Sequence, residues 1–349
     1  MKRTFKVLLI LILMLSMVLT GCGGKEAPAQ GDDEGAEEPV ETEVETDTEA
    51  DKVALVVAGG LGDRSFYDSS HEGVEKAKED YGVEYKVYEC RNDPSLFNDQ
   101  LVQASEYAPI VAVVGYEFYD VVQEIAEEFP DVYYIYVDNE IEGIDNLITI
   151  SYAENEGSFL AGALAAMLSE EKTIGMVGGM DMPVIRNFYV GYEAGAKYID
   201  PDIVVEVIFA EDFEDPAKGK EGATALYSRG ADIVFQVAGK TGEGVFEAAE
   251  EMGKYAIGVD TDQRYINPDV IVASMVKRVG HSIYETIDDI NKGQIEPGKV
   301  IYYGLEQDGV GMGYGTDDMK QFATDEMKSK LEEIKEKIIS GEIEVPEAK

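Results

Sequence analysis

The chain is poor in the residues that most often carry metal or redox chemistry. Of its 349 residues two are cysteine, Cys22 and Cys90, and two are histidine, His71 and His281. There is no CxxC pair and no Cys/His cluster, so no metal site is expected. With Cys22 set aside for the modification described below, Cys90 stands alone and no internal disulfide can form in any compartment. Positive charge is also scarce: 29 Lys and Arg stand against 71 Asp and Glu, a formal net charge of -42. Such a chain is repelled by the phosphates of nucleic acid and by anionic lipid headgroups, which argues against nucleic acid as a partner and against broad adhesion to anionic lipid. The apolar run near the N-terminus falls short of the roughly 20 residues that a membrane-spanning helix needs. Also missing are the Walker lysine motif, the GxGxxG dinucleotide spacing and the GxSxG elbow. No Ser-His-Asp arrangement can be assembled, so neither an enzyme nor a cofactor is expected.

What is present begins at the N-terminus. Lys2, Arg3 and Lys6 precede the apolar run Val7–Leu19, which ends in Leu19-Thr20-Gly21-Cys22. Basic residues, a short apolar core and small residues before a cleavage point are the parts of a secretion signal. The final quartet resembles the bacterial lipobox. On that reading residues 1–21 are a signal peptide and Cys22 is the lipidated mature N-terminus, anchoring the protein to the outer side of the cell membrane. Residues 22–51 are Gly, Ala, Pro, Thr and many carboxylates. They cannot bury enough surface to offset their ordering entropy and are expected to form a disordered acidic tether.

From Lys52 onward short apolar runs alternate with amphipathic stretches. Strands are expected at Val53–Val57, Val83–Tyr88, Ile110–Val114 and Val132–Val137, with helices between them at about 69–81, 95–107 and 120–129. A second series follows, with strands at Thr173–Val177, Ile203–Phe209, Ile233–Val237 and Tyr255–Val259. Near-continuous apolar strands belong to parallel sheets covered on both faces. Two such βαβ series predict an α/β protein of two doubly wound lobes. A helix rich in small residues, 154–168, lies between them. The last part adds strands at Val270–Met275 and Val300–Leu305, a helix at 280–291 and a charged helix from about 318 to 339. The expected division is 52–151 plus about 276–297 for one lobe, and 152–275 plus about 298–349 for the other.

Ligands of open α/β sheets bind beyond the C-terminal ends of the strands. After the first strand comes a Gly-rich loop ending in Asp63-Arg64-Ser65-Phe66-Tyr67-Asp68, in which Ser65 or Asp68 is suited to cap the next helix. Carboxylates there make it a poor phosphate loop. Asp138 and Asp260 each end a strand, where an ionised carboxylate can accept from a pair of hydroxyls. Phe213 sits among acids in a loop, an unusual place for a core aromatic. Phe66 and Phe213, one from each half, are placed to sandwich a flat ring.

Six segments in order carry a family resemblance: Gly62–Phe66, Glu156–Gly162, Gly178–Ile185, Phe213–Lys220, Gly239–Gly244 and Gly258–Gln263. The chain resembles the basic membrane protein family of bacterial lipoproteins, substrate-binding components of ABC importers that include purine-nucleoside receptors. The resemblance implies a type I periplasmic-binding-protein fold with a three-stranded hinge and a nucleoside clamped between the lobes. It also implies a permease and an ATPase on separate chains. Phe66 and Phe213 match the stacking aromatics, Asp138 and Asp260 the ribose-binding acids, and Asp63 an acid near the base. Gly239 and Lys277 match further contact positions. Tyr67 departs from the family, where Asn is common, and bears on the base preference. The same family includes a riboflavin receptor, so another flat-ring solute is the alternative ligand. A ligand sensor with no transport partner is the other reading.

Overall fold

A computed structural model describes residues 51–296 and 298–348. The signal, Cys22 and nearly all of the tether lie outside the described residues. The first sheet forms from β1 (Lys52–Val57), β2 (Glu84–Glu89), β3 (Ile110–Val114), β4 (Tyr133–Val137) and β5 (Leu147–Tyr152). The helices between them are α1 (Phe66–Tyr81), α2 (Phe97–Tyr107) and α3 (Tyr119–Glu128). The apolar strands behave as their composition demands. Val53, Leu55 and Val57 of β1 pack with Val74 and Ala77 of α1, whereas Ala54 and Val56 pack with Leu101 of α2 and Ile125 of α3. A strand with helices on both faces has no polar side, which removes the alternation of a half-exposed strand.

The second sheet repeats the plan with β6 (Thr173–Gly178), β7 (Val204–Phe209), β8 (Ile233–Val237), β9 (Tyr255–Asp260) and β10 (Ile271–Lys277). It is preceded by α4 (Glu154–Leu168), and α5 (Pro183–Ile199), α6 (Pro216–Ser228) and α7 (Glu243–Met252) connect its strands. After β10 come α8 (Val279–Asn291), β11 (Val300–Tyr303), β12 (Val310–Gly313) and α9 (Asp325–Ile339). The strand orders are β11-β5-β4-β3-β1-β2 and β12-β10-β9-β8-β6-β7. From the second position onward the two orders correspond strand for strand, so β9 stands where β4 stands. The chain passes between the sheets three times: from Tyr152 to Glu154, from Lys277 to Val279, and from Tyr303 to Val310.

Several details differ from expectation. The strand Leu147–Tyr152, not among the expected ones, forms from the β-branched run LITISY. Val300–Tyr303 pairs in parallel with β5, so this strand completes the first sheet rather than the second. It is β12, antiparallel to β10, that completes the second. The last helix begins at Asp325 rather than near residue 318. Thr324 sets that start: its hydroxyl accepts the Met327 N–H at 3.2 Å, a conventional N-cap. Cys90 is fully buried and burial pushes its thiol up to about 12, so it is an inert core residue.

The small residues of α4 serve contact with α5 inside the second lobe. A Cβ at Gly162 would stand 1.9 Å from the Tyr192 carbonyl oxygen, and one at Gly195 1.9 Å from that of Phe159. The two helices touch backbone to backbone, which side chains would prevent. Gly162→Ala is therefore expected to cost about 1–3 kcal/mol, the usual penalty of overpacking. Urea denaturation followed by circular dichroism measures it, and parental stability would mean that the helices can part without cost.

Candidate functional site

All eight residues singled out above, Asp63, Phe66, Tyr67, Asp138, Phe213, Gly239, Asp260 and Lys277, line one cleft between the two sheets. The loops after β1, β3 and β4 form one wall, and those after β6, β7, β8 and β9 form the other. These are C-terminal strand ends around the point where strand order reverses, β3 to β1 in one sheet and β8 to β6 in the other.

Asp63 is buried and already engaged. The backbone N–H groups of Ser65 and Asp68 donate to its Oδ1 at 3.0 Å, and that of Tyr67 to its Oδ2 at 2.9 Å. It thus closes the start of α1 and fixes the loop that carries Phe66. Asp68 helps, accepting from Gly62 and Arg64 at 2.7 and 2.9 Å. Ser65, expected as a possible cap, instead turns its hydroxyl across the cleft to Asp260. Arg64 and Ser65 together stitch the walls: the Arg64 carbonyl accepts from Thr261 Oγ1 at 3.1 Å and from Gln263 Nε2 at 2.9 Å.

Asp138 and Asp260 occupy corresponding places at the ends of β4 and β9, and both have left-handed backbones, with φ of 68° and 64°. Asp tolerates this region better than most residues, and such strain concentrates where a side chain must point a particular way. Between them lies Lys277, at the second crossing and 1% exposed. Its ammonium donates to Asp138 Oδ1 and, at 3.1 Å, to Glu154 Oε1. It also sits 5.2 Å from the ring centre of Phe66, 4.7 Å from that of Tyr152 and 5.7 Å from that of Phe188. Burial favours loss of its proton, but the charges of Asp138, Glu154 and Asp260 outweigh that and hold it firmly cationic. Asp260 itself is pushed up to about 7 by burial, against the opposing pull of Lys277 and the Ser65 hydroxyl. Burial likewise raises Asp63 to about 6.

On the other wall the Phe213 ring rests on Gly179, where a Cβ would meet its Cε1 at 2.1 Å. Tyr67 is buried beside Gly59. Burial, then the charges of Glu117 and Asp63, push its hydroxyl well above the ordinary range. Sequence reading missed Glu117, Glu154 and Glu214. Glu117 follows β3, where attention to every strand end would have found it. Glu214 lies inside a motif read only for its phenylalanine. Glu154 opens a helix and carried no signal of its own.

Two doubly wound lobes of matching strand order, three crossings and a cleft between strand ends define a type I periplasmic-binding-protein fold. A solved ABC transporter solute-binding protein from Aeropyrum pernix superposes with a TM-score of 0.76 at 26% identity, covering 84% of this chain and 93% of that one. The family of PnrA-like ABC transporter substrate-binding proteins, Bmp, matches residues 50–349. Basic membrane protein A of Borreliella burgdorferi is 34% identical over 98% of this chain and 96% of its own. A Lactococcus lactis relative named ABC transporter nucleoside-binding protein BmpA is 32% identical over 84% of this chain and 89% of its own. The chain belongs to the Bmp family: it is a substrate-binding protein of an ABC transporter and not an enzyme.

The raised carboxyls set a pH dependence. Asp260 and Asp63 keep protons in the fold that the unfolded chain releases near pH 4, so between about pH 4 and 7 the folded state binds more protons and stability falls as pH rises. Urea midpoints should therefore rise as pH is lowered from 7.5 to 5, with Asp260 contributing about 2–3 kcal/mol over that range. Asp260→Asn should flatten that slope. A slope unchanged by the substitution would show Asp260 ionised and compensated throughout.

Proposed function

We propose that the protein is a lipid-anchored, extracytoplasmic receptor that captures a nucleoside, most simply a purine nucleoside, and hands it to a permease driven by a separate ATPase. The observation that carries this reading is the joint placement of Phe66, Phe213, Asp138 and Asp260 around one cleft, aromatics and acids coming from both lobes. A flat base stacks on the aromatics, and the two strand-end carboxylates accept the ribose hydroxyls. Lys277 favours the ionised form of Asp260 against the opposing effect of burial. Asp63 acts by fixing the loop under Phe66, and Gly239 leaves room beside Phe213. The name of the Lactococcus relative supports the ligand class. A bound nucleoside draws the walls together, and the closed form is what the permease recognises.

The cleft is rich in carboxylates and its loops offer no phosphate cradle, so a 5′-phosphate would meet repulsion. Calorimetry should show adenosine, guanosine or inosine binding at least tenfold more tightly than the corresponding monophosphates and 2′-deoxynucleosides. Phe66→Ala and Phe213→Ala should each weaken nucleoside binding about tenfold or more, since one base–aromatic stack is worth about 1–3 kcal/mol. Riboflavin binding in place of nucleosides would move the site to the alternative flat-ring solute. For the anchor, Cys22→Ser should shift the protein from the membrane fraction to the soluble fraction. Retention and processing like the parent would refute lipidation at Cys22.

A further inference from the structure

Among the described residues, Glu214 is the cleft carboxylate with a buried oxygen left unpartnered. Its Oε1 is closed off from solvent and has no hydrogen-bond partner, while Lys240 Nζ lies 3.6 Å from its Oε2. A buried acceptor without a donor is costly, which makes it a place where a ligand donor is expected. Position supports that reading. Glu214 follows Phe213 on the loop after β7, yet its Oε1 lies against the opposite wall, 3.0 Å from where a Cβ on Gly59 would stand. Phe66, Phe213, Tyr67 and Glu117 line the same cleft. The Tyr67 ring lies beside Gly59, next to the same Glu214 oxygen, and the charges of Glu117 and Glu214 both raise its hydroxyl. Asp138 and Asp260, the acids assigned to the sugar, are drawn instead to Lys277. The cleft therefore holds two sets of acceptors, one around Lys277 and one around Tyr67.

We propose that Glu214 reads the edge of the ligand's ring, accepting N–H donors from it, and that the receptor thereby favours rings with two adjacent donors over rings with a donor beside an acceptor. The inference rests on the nucleoside reading and sharpens it. A carboxylate only accepts. The guanine edge offers N1–H and the 2-amino group side by side, one for the bare Oε1 and one for the lone pair of Oε2 that Lys240 leaves open. Hypoxanthine offers N1–H alone. Adenine sets its N6 amino group beside the N1 lone pair, which a carboxylate oxygen repels. Sites built on buried polar groups discriminate strongly, because the wrong ligand leaves those groups unpaired.

Calorimetry at pH 7.5 on the purified full-length protein, with guanosine, inosine and adenosine, tests the proposal. The parent should prefer guanosine to adenosine by roughly tenfold or more, with inosine between them. Glu214→Gln keeps the shape but supplies a donor beside an acceptor, the pair that suits adenine. It should narrow or reverse the preference while leaving the penalty for 2′-deoxynucleosides as it is in the parent. Circular dichroism checks the fold, and Glu214→Asp, which withdraws the carboxylate by one methylene, carries the same comparison if the Gln variant unfolds. Nucleoside binding without this order, or an order that survives both substitutions, would overturn the role of Glu214 and leave the nucleoside reading standing. No binding of any nucleoside would overturn that reading itself.

Discussion

The ammonium of Lys277 is the charge on which this structure turns. Asp138 arrives from the end of β4, Glu154 from the first turn of α4 and Asp260 from the end of β9, and all three act on one buried cation. Each acid alone would be expensive to bury as an anion, and so would the lysine. Together they offset part of that cost, the lysine opposing the effect of burial on Glu154 and Asp260. Lys277 and Glu154 lie at two of the three crossings between the lobes, so the ion cluster also ties together the segments about which the lobes are joined. Glu154 is held in turn by Asn187 of α5, whose Nδ2 donates to its Oε2 at 3.0 Å. The cleft-lining Lys277 and the crossings are thus held in one electrostatic unit.

The two lobes repeat one strand order, and that repetition explains the symmetry of the acids. β4 and β9 are corresponding strands, and each ends in an Asp with a left-handed backbone. Such a turn at a strand end aims the side chain into the space beyond the sheet, and the space beyond both sheets is shared. The aromatics do not obey the same correspondence. Phe66 opens the helix after β1, whereas Phe213 precedes the helix after β7, the counterpart of β2. The two rings are independent solutions to covering a common cleft.

Much of this was legible in the chain because the physics concerned was local. Apolar runs bounded by glycine and acid mark strands covered on both faces, and strand ends mark where ligands bind, which together pointed to Asp63, Phe66, Asp138, Phe213 and Asp260. What was not legible depended on pairing between distant segments. The partner of Val300–Tyr303 is a strand some hundred and fifty positions earlier in the chain, and no local pattern states which sheet an added edge strand will join. The diversion of Ser65 from helix cap to Asp260 is of the same kind, because the competing acceptor comes from the other lobe. Glu154 reads as an ordinary acidic residue in a first helical turn until the fold brings Lys277 to it.

The excess of acid in the cleft then acquires a reason. An anion in a confined site must be matched by donors, and the protein supplies them unevenly. Asp63 takes three backbone N–H groups, Asp138 and Glu154 share an ammonium, and Asp260 takes a hydroxyl from the opposite wall. Glu214 is matched on one oxygen and bare on the other. On the proposed reading, a solute rich in hydroxyl and N–H groups would complete such a set, whereas one rich in acceptors or negative charge would not. On the same reading, the -42 balance of the whole chain, which at the level of composition only argued against polyanions as partners, would act inside the cleft as a preference for donor-bearing neutral solutes.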